Sequence, residues 1–233
     1  MTVAAVILAA TPEGALRDIE GRPLARRLAE AAWSGGAMPV VVVAADPAGA
    51  LADALAGSEA ILAEPAPGVG GPVAQICRGI DVARGQVAET DAALVWPARM
   101  AWVDPETITS LIEAHGAHPD TILRPAFEGA AGWPTLVPVG RLDVLRTLAS
   151  DLMPDDLLDA LIAGGAPNQS VETGDPGTTH DLGTAREDLP PYGGPPEPAS
   201  GRTYEWGAMA AEAADEPLPV GPTIVAWEDD PAG

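Results

Sequence analysis

Lysine is missing from this chain: all twelve basic residues are arginine. Imine formation with a carbonyl substrate is excluded with it, and so are the phosphate loops that rely on a lysine. Cysteine is nearly as scarce. The single Cys77 excludes an intramolecular disulfide and any cysteine cluster for zinc, and a cytoplasmic setting is the simplest expectation. Positive charge in general is in short supply, with twelve arginines against 34 acids and a formal net charge of −22. Such a field repels phosphate backbones and anionic lipid, so neither nucleic acid nor a membrane is an expected partner. The apolar run from Val3 to Ala10 has no basic leader and is far too short to span a bilayer. It reads as a buried first strand.

What is present is enough for one core. With 233 residues and 47% hydrophobic content, the expectation is one α/β domain over 1–189 and a tail over 190–233. The tail changes composition sharply, with nine Pro, six Gly and eight acids against one Arg. Two apolar islands within it, TYEWGAM (203–209) and PTIVAW (222–227), are candidates for docking on the domain or on a protein partner.

Hydrophobic periodicity predicts strands over 3–10, 39–46, 60–63, 91–96, 121–124, 135–139 and 169–172. Helices are predicted over 23–34, 48–56, 72–84, 105–115, 141–150 and 154–163. The run PVVVVAAD (39–46) is apolar on both faces, which suggests a parallel strand covered on both sides. Alternation of strand and helix predicts a Rossmann-like, doubly wound, mostly parallel sheet with helices on both faces.

Ligands of such sheets gather beyond the carboxyl ends of the strands. The first turn, AATPEGALR (9–17), offers Ala10, Thr11, Gly14 and Arg17 as phosphate contacts, although Glu13 and Asp18 oppose an anion there. The glycine-rich turn GVGGPVAQ (68–75) offers Gly70, Gly71 and Gln75 at the start of a helix, where backbone amides and the helix dipole favour negative charge. LVWPARMAWVDPETI (94–108) is an apolar run, a short turn and a helix start, the place for a metal-binding Asp, yet Arg99 stands at its centre. A guanidinium has no lone pair for Mg²⁺, but it can grip a phosphate as a fixed cation or pair with an acid such as Asp104 or Glu106. Trp96 and Trp102 flank it. His115 and His118 lie at a helix end, where a cationic imidazole suits the dipole, and His180-Asp181 is a His/Asp pair with possible chemistry.

The last of these segments resembles LVLLADMPLVTPETI of the MobA/MocA-like nucleotidyltransferases, which load CMP or GMP onto molybdopterin. In that register the metal-binding Asp falls on Arg99. Residues 9–24 resemble the family's A-A-G-x-S-x-R-M-G loop and the Lys that follows it, but the segment is shorter, Thr11 replaces the first Gly and the Lys is missing. GVGGPVAQICRGI (68–80) is similar to a G-x-G-x-S-x-x-x-G-L segment lying against the nucleotide. RPAFEGAAGWPTLVP (124–138) resembles R-P-x-x-x-G-x-x-G-H-P-x-L, with Gly129, Gly132 and Pro134 matched and Trp133 in place of His. GDPGTTHDLGTAREDL (174–189) is similar to a segment ending D-I-D-T-P-E-D-L, with Asp181 on its first Asp and Gly183 on its second.

The resemblance implies a GT-A-like fold with a nucleotide- or anion-binding cleft, whose ligand is a nucleotide or phosphorylated small molecule. It implies a second-substrate side at Gly132 and Trp133; Trp102, which flanks Arg99, is a further candidate there as an aromatic able to stack on a base or pterin. Four departures from the family pattern, at the glycine loop, the Lys, the metal Asp and the His, lead to an expectation of weak or absent Mg²⁺-dependent transfer. Two alternatives stand beside it. One is an active enzyme with displaced metal ligands, for which Asp181 and Asp104, with Asp91, are the candidates. The other is a non-catalytic interaction module.

Overall fold

The computed structural model describes residues 1–9, 11–65 and 70–195, and residues 1–195 form one compact unit. The apolar islands at 203–209 and 222–227 and candidate contact Ala10 lie outside the described residues. In chain order the elements are β1 (Thr2–Leu8), α1 (Pro12–Ala15), β2 (Asp18–Ile19), β3 (Arg22–Pro23), α2 (Leu24–Ser34), β4 (Val40–Val43), α3 (Ala50–Leu55) and β5 (Ala60–Ala63). They continue with α4 (Pro72–Gln86), β6 (Thr90–Pro97), α5 (Pro105–Ala117), β7 (Ile122–Phe127), β8 (Ala130–Ala131) and β9 (Thr135–Pro138). Finally come α6 (Leu142–Leu145), α7 (Pro154–Ala163) and β10 (Asn168–Glu172).

The main sheet runs β10-β7-β9-β6-β1-β4-β5, with β8 paired to β7. β1 pairs in parallel with both β4 and β6, β4 with β5, and β10 with β7, while β9 is antiparallel to β6 and β7. Six strands therefore end at one edge of the sheet, and β9 begins there. Every candidate loop of the sequence analysis leaves from that edge. The strand order also reverses at β1, since the chain passes outward to β4 and β5 and returns to the other side of β1 as β6; this is where open α/β sheets hold ligands.

Val40, Val41, Val42 and Val43 are all buried, as is the β1 run Val3–Ile7. The apolar-on-both-faces pattern arises because helices cover both sides: α2 packs against α3 and α5, while α4 packs against α6 and α7. The helix ends follow their sequence. Pro105, Pro72 and Pro154 each open a helix, where a missing N–H costs nothing. After α2, Gly36 takes a φ of +91° and the Ala37 amide reaches back to the Ala32 carbonyl, so the glycine pair stops the helix.

Three local features differ from expectation. The first turn contains the one-turn helix α1. The predicted helix over 141–150 is only one α-turn, Leu142–Leu145, preceded by a 3-10 turn; the Val73 amide uses the Ser150 carbonyl, and Thr147 Oγ1 turns back to the Val144 carbonyl. Third, β2–β3 and β7–β8 are joined by the two-residue turns Glu20-Gly21 and Glu128-Gly129, all four residues at positive φ, the signature of a type I′ hairpin. Residues 190–195 stay against the domain, where the Gly193 amide donates to the Gly174 carbonyl.

Candidate functional site

A cleft of about 610 Å³ opens at the carboxyl ends of β1, β4 and β6. Leu8, Val43 and Pro97 form its floor, and Thr11, Gly14, Arg17, Gly71, Gln75 and Arg99 line it. Six of the proposed nucleotide contacts are thus brought together from three separate loops. Gly70 is not among the lining residues.

The loops are differently prepared for an anion. Thr11 Oγ1 accepts from the Gly14 amide at 3.0 Å and caps α1, so this hydroxyl and this amide satisfy each other. Arg17 is exposed on the cleft wall and makes no ion pair among the described residues. The amides at the start of α4 are less open than the glycine-rich sequence suggests, because Val73 N donates to the Ser150 carbonyl at 3.2 Å. Gly71 has a φ of +99°, and a Cβ there would run into the Ser150 carbonyl. Close packing of the 147–151 turn is therefore one reason for that glycine.

Arg99 sits on a turn held from three sides. Trp96 Nε1 donates to the Met100 carbonyl at 2.9 Å, the Ala98 amide to the Leu8 carbonyl at 3.1 Å, and the Leu182 amide to the Arg99 carbonyl at 2.9 Å. Its guanidinium pairs with Asp155 at 3.1 Å in the first turn of α7, rather than with Asp104 or Glu106 as proximity in sequence suggested. Both side chains are substantially exposed, 40% and 59%, so the pair is weak in water and can open. Asp155 Oδ1 also accepts from Trp133 Nε1 at 2.9 Å.

On the far side of this Arg99–Asp155–Trp133 bridge lies a second cavity of about 470 Å³. Gly132, Trp133, Arg124, Thr178, His180 and Asp181 line it, with Arg99 and Asp155 at the border. Gly132 is buried against Thr178, leaving no room for a side chain, and the next amide, Trp133 N, donates to the Thr178 carbonyl at 2.8 Å.

Several candidates fall elsewhere. Trp102 lines neither cavity: the Arg27 guanidinium lies 5.5 Å from its ring centroid, and its indole N–H donates to the Thr184 carbonyl at 3.1 Å. Arg27 and Arg186 both engage Glu20, which ties the β2–β3 hairpin to the 186–188 turn. Asp104 and Asp181 are not brought together around either cavity, for Asp181 lines the second and Asp104 lines neither. Asp104 occupies the cap position of α5, and its amide donates to Asp175 Oδ2 at 2.9 Å. Asp91 lies at the start of β6, on the opposite edge of the sheet, accepting from the Thr2 amide. Among the described residues no group of three or more His, Cys, Asp or Glu side chains is poised to hold a metal.

The two helix-end histidines also separate. His118 is exposed, but His115 is 1% exposed and both ring nitrogens lack a partner among the described residues. Burial pushes its pKa below the ordinary value, against the nearby charges of Asp91 and Asp120, so the cationic capping role is overturned for His115. Arg124 and Asp155 went unselected as site residues. Arg124 opens the segment that resembles the substrate-side motif, and that was its one available signal. Asp155 had none beyond its place at a helix start.

The fold and the cleft at its strand ends agree with the sequence comparison. Residues 13–165 match the MobA-like NTP transferase domain. The chain belongs to this family. Among solved structures, a nucleotidyl transferase from Methanothermobacter thermautotroptrophicus is similar, with a TM-score of 0.63 at 19% identity, covering 78% of this chain and 91% of the other. Rv0371c from Mycobacterium tuberculosis, in complex with manganese, gives 0.56 at 18%, covering 74% and 88%. The 2-C-methyl-D-erythritol 4-phosphate cytidylyltransferase from Thermus thermophilus gives 0.55 at 20%, covering 81% and 96%. At these identities the likeness is one of fold. No curated protein matches the sequence significantly. Among the described residues, no helix of this MobA-like domain is long and apolar enough to cross a membrane.

Proposed function

We propose that the 610 Å³ cleft binds the phosphate groups of a nucleotide through Arg99 and Arg17, and that Mg²⁺-dependent nucleotidyl transfer is weak or absent. The observation that carries this reading is the charge of the lining. Its described residues include two arginines and not one carboxylate or histidine. The neighbouring residues 10 and 66–69 are Ala, Ala, Pro, Gly and Val, which add no acid. Mg²⁺ requires oxygen ligands and is usually anchored by one or two carboxylates, so this donor set does not fit the ion. A pair of guanidinium forks does fit the oxygens of a di- or triphosphate. The remaining lining is mainly apolar, including Leu8, Val43, Pro65 and Leu182, and suits the flat faces of a base.

A thermal-shift panel of CTP, GTP, ATP, UTP and pyrophosphate, each with Mg²⁺ and with a chelator, tests this. A ligand at a hundred times its Kd adds about 2.7 kcal/mol, a clear rise in Tm. The expected result is stabilisation that survives chelation and is lost in Arg99→Ala. Stabilisation that requires Mg²⁺ would support instead an active transferase with displaced ligands, with Asp181 the first carboxylate to test. No shift with any member of the panel would overturn the nucleotide reading.

A further inference from the structure

The second cavity contains two polar groups that none of the interactions above explains. Arg124, on β7, lines it with a guanidinium whose Nε is buried without a partner; Nη2 makes only a 3.5 Å contact with the Ala131 carbonyl, and Arg124 has no ion pair among the described residues. His180 lies in the loop after β10. Its Nδ1 is 2.9 Å from the Pro176 carbonyl oxygen and 3.1 Å from Thr179 Oγ1. A carbonyl can only accept, so that contact requires the proton on Nδ1. In the neutral ring Nε2 is then an acceptor. The ring itself is steadied by an edge contact with Phe127, at 6.3 Å between centroids.

We propose that this cavity binds a small hydroxylated acid, a carboxylic acid or a phosphate ester. Arg124 takes the anionic group and His180 Nε2 accepts a hydrogen bond from the hydroxyl. Unpaired buried donors are costly, and an anion on Arg124 removes that cost while forming charge-assisted bonds. The remaining charges select a modest anion over a highly charged one. Asp181 lines the same cavity with Oδ1 on the Gly183 amide at 2.8 Å, and Asp155 at the border is held by Arg99 and Trp133. With Arg99 and Asp155 paired to each other, a triphosphate meets, among the described residues, one free cation opposed by Asp181, whereas a ligand with one acidic group and hydroxyl donors meets that cation and several acceptors. Binding in this cavity does not depend on the nucleotide reading. Its role as a second substrate or effector beside the nucleotide does rest on that reading, because Arg99 borders both cavities.

Calorimetric titration of the full chain with glycerate and glycerol 3-phosphate, and with their deoxy counterparts propionate and propyl phosphate, tests the proposal and separates the two acid types. At least one hydroxylated acid is expected to bind more tightly than its deoxy counterpart. Arg124→Gln should weaken it roughly tenfold or more, the loss of a charged hydrogen bond, while leaving the pyrophosphate-induced rise in Tm unchanged. His180→Phe keeps the ring contact but removes the acceptor, and should equalise the hydroxylated and deoxy ligands even if Arg124→Gln fails to fold. The imidazole nitrogen resonances of His180 should show that the neutral form of the ring carries its proton on Nδ1. Absence of binding by every probe at millimolar concentration, a ring protonated at Nε2 alone, or affinities insensitive to a folded Arg124→Gln or to His180→Phe would each overturn the proposal. Absence of stabilisation of the wild type by every nucleotide and by pyrophosphate, while glycerate still binds, would overturn the nucleotide reading alone.

Discussion

Asp175 caps the helix that Asp104 precedes. Its Oδ2 accepts from the Asp104 amide at 2.9 Å and from Thr107 Oγ1 at 2.8 Å, while Oδ1 accepts from the Gly177 amide at 2.8 Å. One buried carboxylate therefore fastens the first turn of α5 to the loop that continues toward His180 and Asp181.

Removing it should be expensive. Asp175→Ala leaves two backbone donors and a hydroxyl short of an acceptor in a site 2% exposed, and the expected loss is about 3 kcal/mol in denaturant unfolding at neutral pH. Burial raises the Asp175 pKa above its ordinary value despite the opposing hydrogen bonds, and the charge of Asp104 adds to the rise. The folded chain thus holds this proton to higher pH than the unfolded chain, and the Asp175 contribution to stability falls as pH rises from about 3.9 through the raised value. The difference between wild type and Asp175→Ala, followed from pH 7 downward, should accordingly widen. A constant difference would mean that Asp175 is charged alike in both states.

His115 has the opposite sign. Its pKa is lowered by burial, so the unfolded chain takes up a proton first as the solution is acidified, and stability is lost as pH falls below about 6.5. His115→Leu should remove that loss and be neutral or stabilising at pH 7, since it replaces two unpartnered buried nitrogens with apolar atoms. Thermal melts of both proteins at a series of pH values between 5 and 8, as an approximate range around the ordinary imidazole pKa, measure it. Parallel curves would show that His115 is not the group responsible.

Glu128 tests the hairpin. It holds a φ of +50° beside Gly129 at +79°, and the two amides donate to the Glu172 carboxylate at 3.0 and 3.3 Å. Asn tolerates this backbone region far better than Glu, and Glu128→Asn leaves both backbone donors in place. A gain of about 0.5 to 1 kcal/mol is expected in thermal unfolding. A loss would mean that the Glu128 side chain contributes more than its backbone strain costs.

These positions also mark how far the sequence could be read. The strands were legible because their apolar runs end at Gly, Pro and Asp, and the valines of β4 announced burial on both faces. The common edge of the loops followed from the parallel order. The two hairpins were not legible, because Glu-Gly is a poor match to the Asn-Gly and Asp-Gly pairs that signal such turns, and contacts with distant residues, Arg186 to Glu20 and Glu172 to the Glu128 amide, help hold them in place. Contacts formed across the fold were equally hidden. Asp155 is 56 residues from Arg99, and nothing local marks it as the partner. Asp104 looked like a site carboxylate from its place after β6, whereas its amide, used by a residue 71 positions away, is what the fold employs.

Asp155 also sets the state of the cleft. An anion reaching Arg99 must compete with a carboxylate at 3.1 Å, and two unit charges near 4 Å interact by about 1 kcal/mol in bulk water and more where solvent is partly excluded. Asp155→Asn removes that competition but leaves a carbonyl oxygen able to accept from Trp133 Nε1, so the wall between the two cavities is retained. Pyrophosphate affinity should rise by roughly fivefold or more, the equivalent of that 1 kcal/mol, and its salt dependence should steepen as Arg99 becomes available. The same substitution placed on Arg99→Ala should have no effect, because the charge it releases is gone. If Asp155→Asn tightens pyrophosphate equally in both backgrounds, the gain comes from a general lowering of negative charge near the cleft, and Arg99 is not the group that receives the anion.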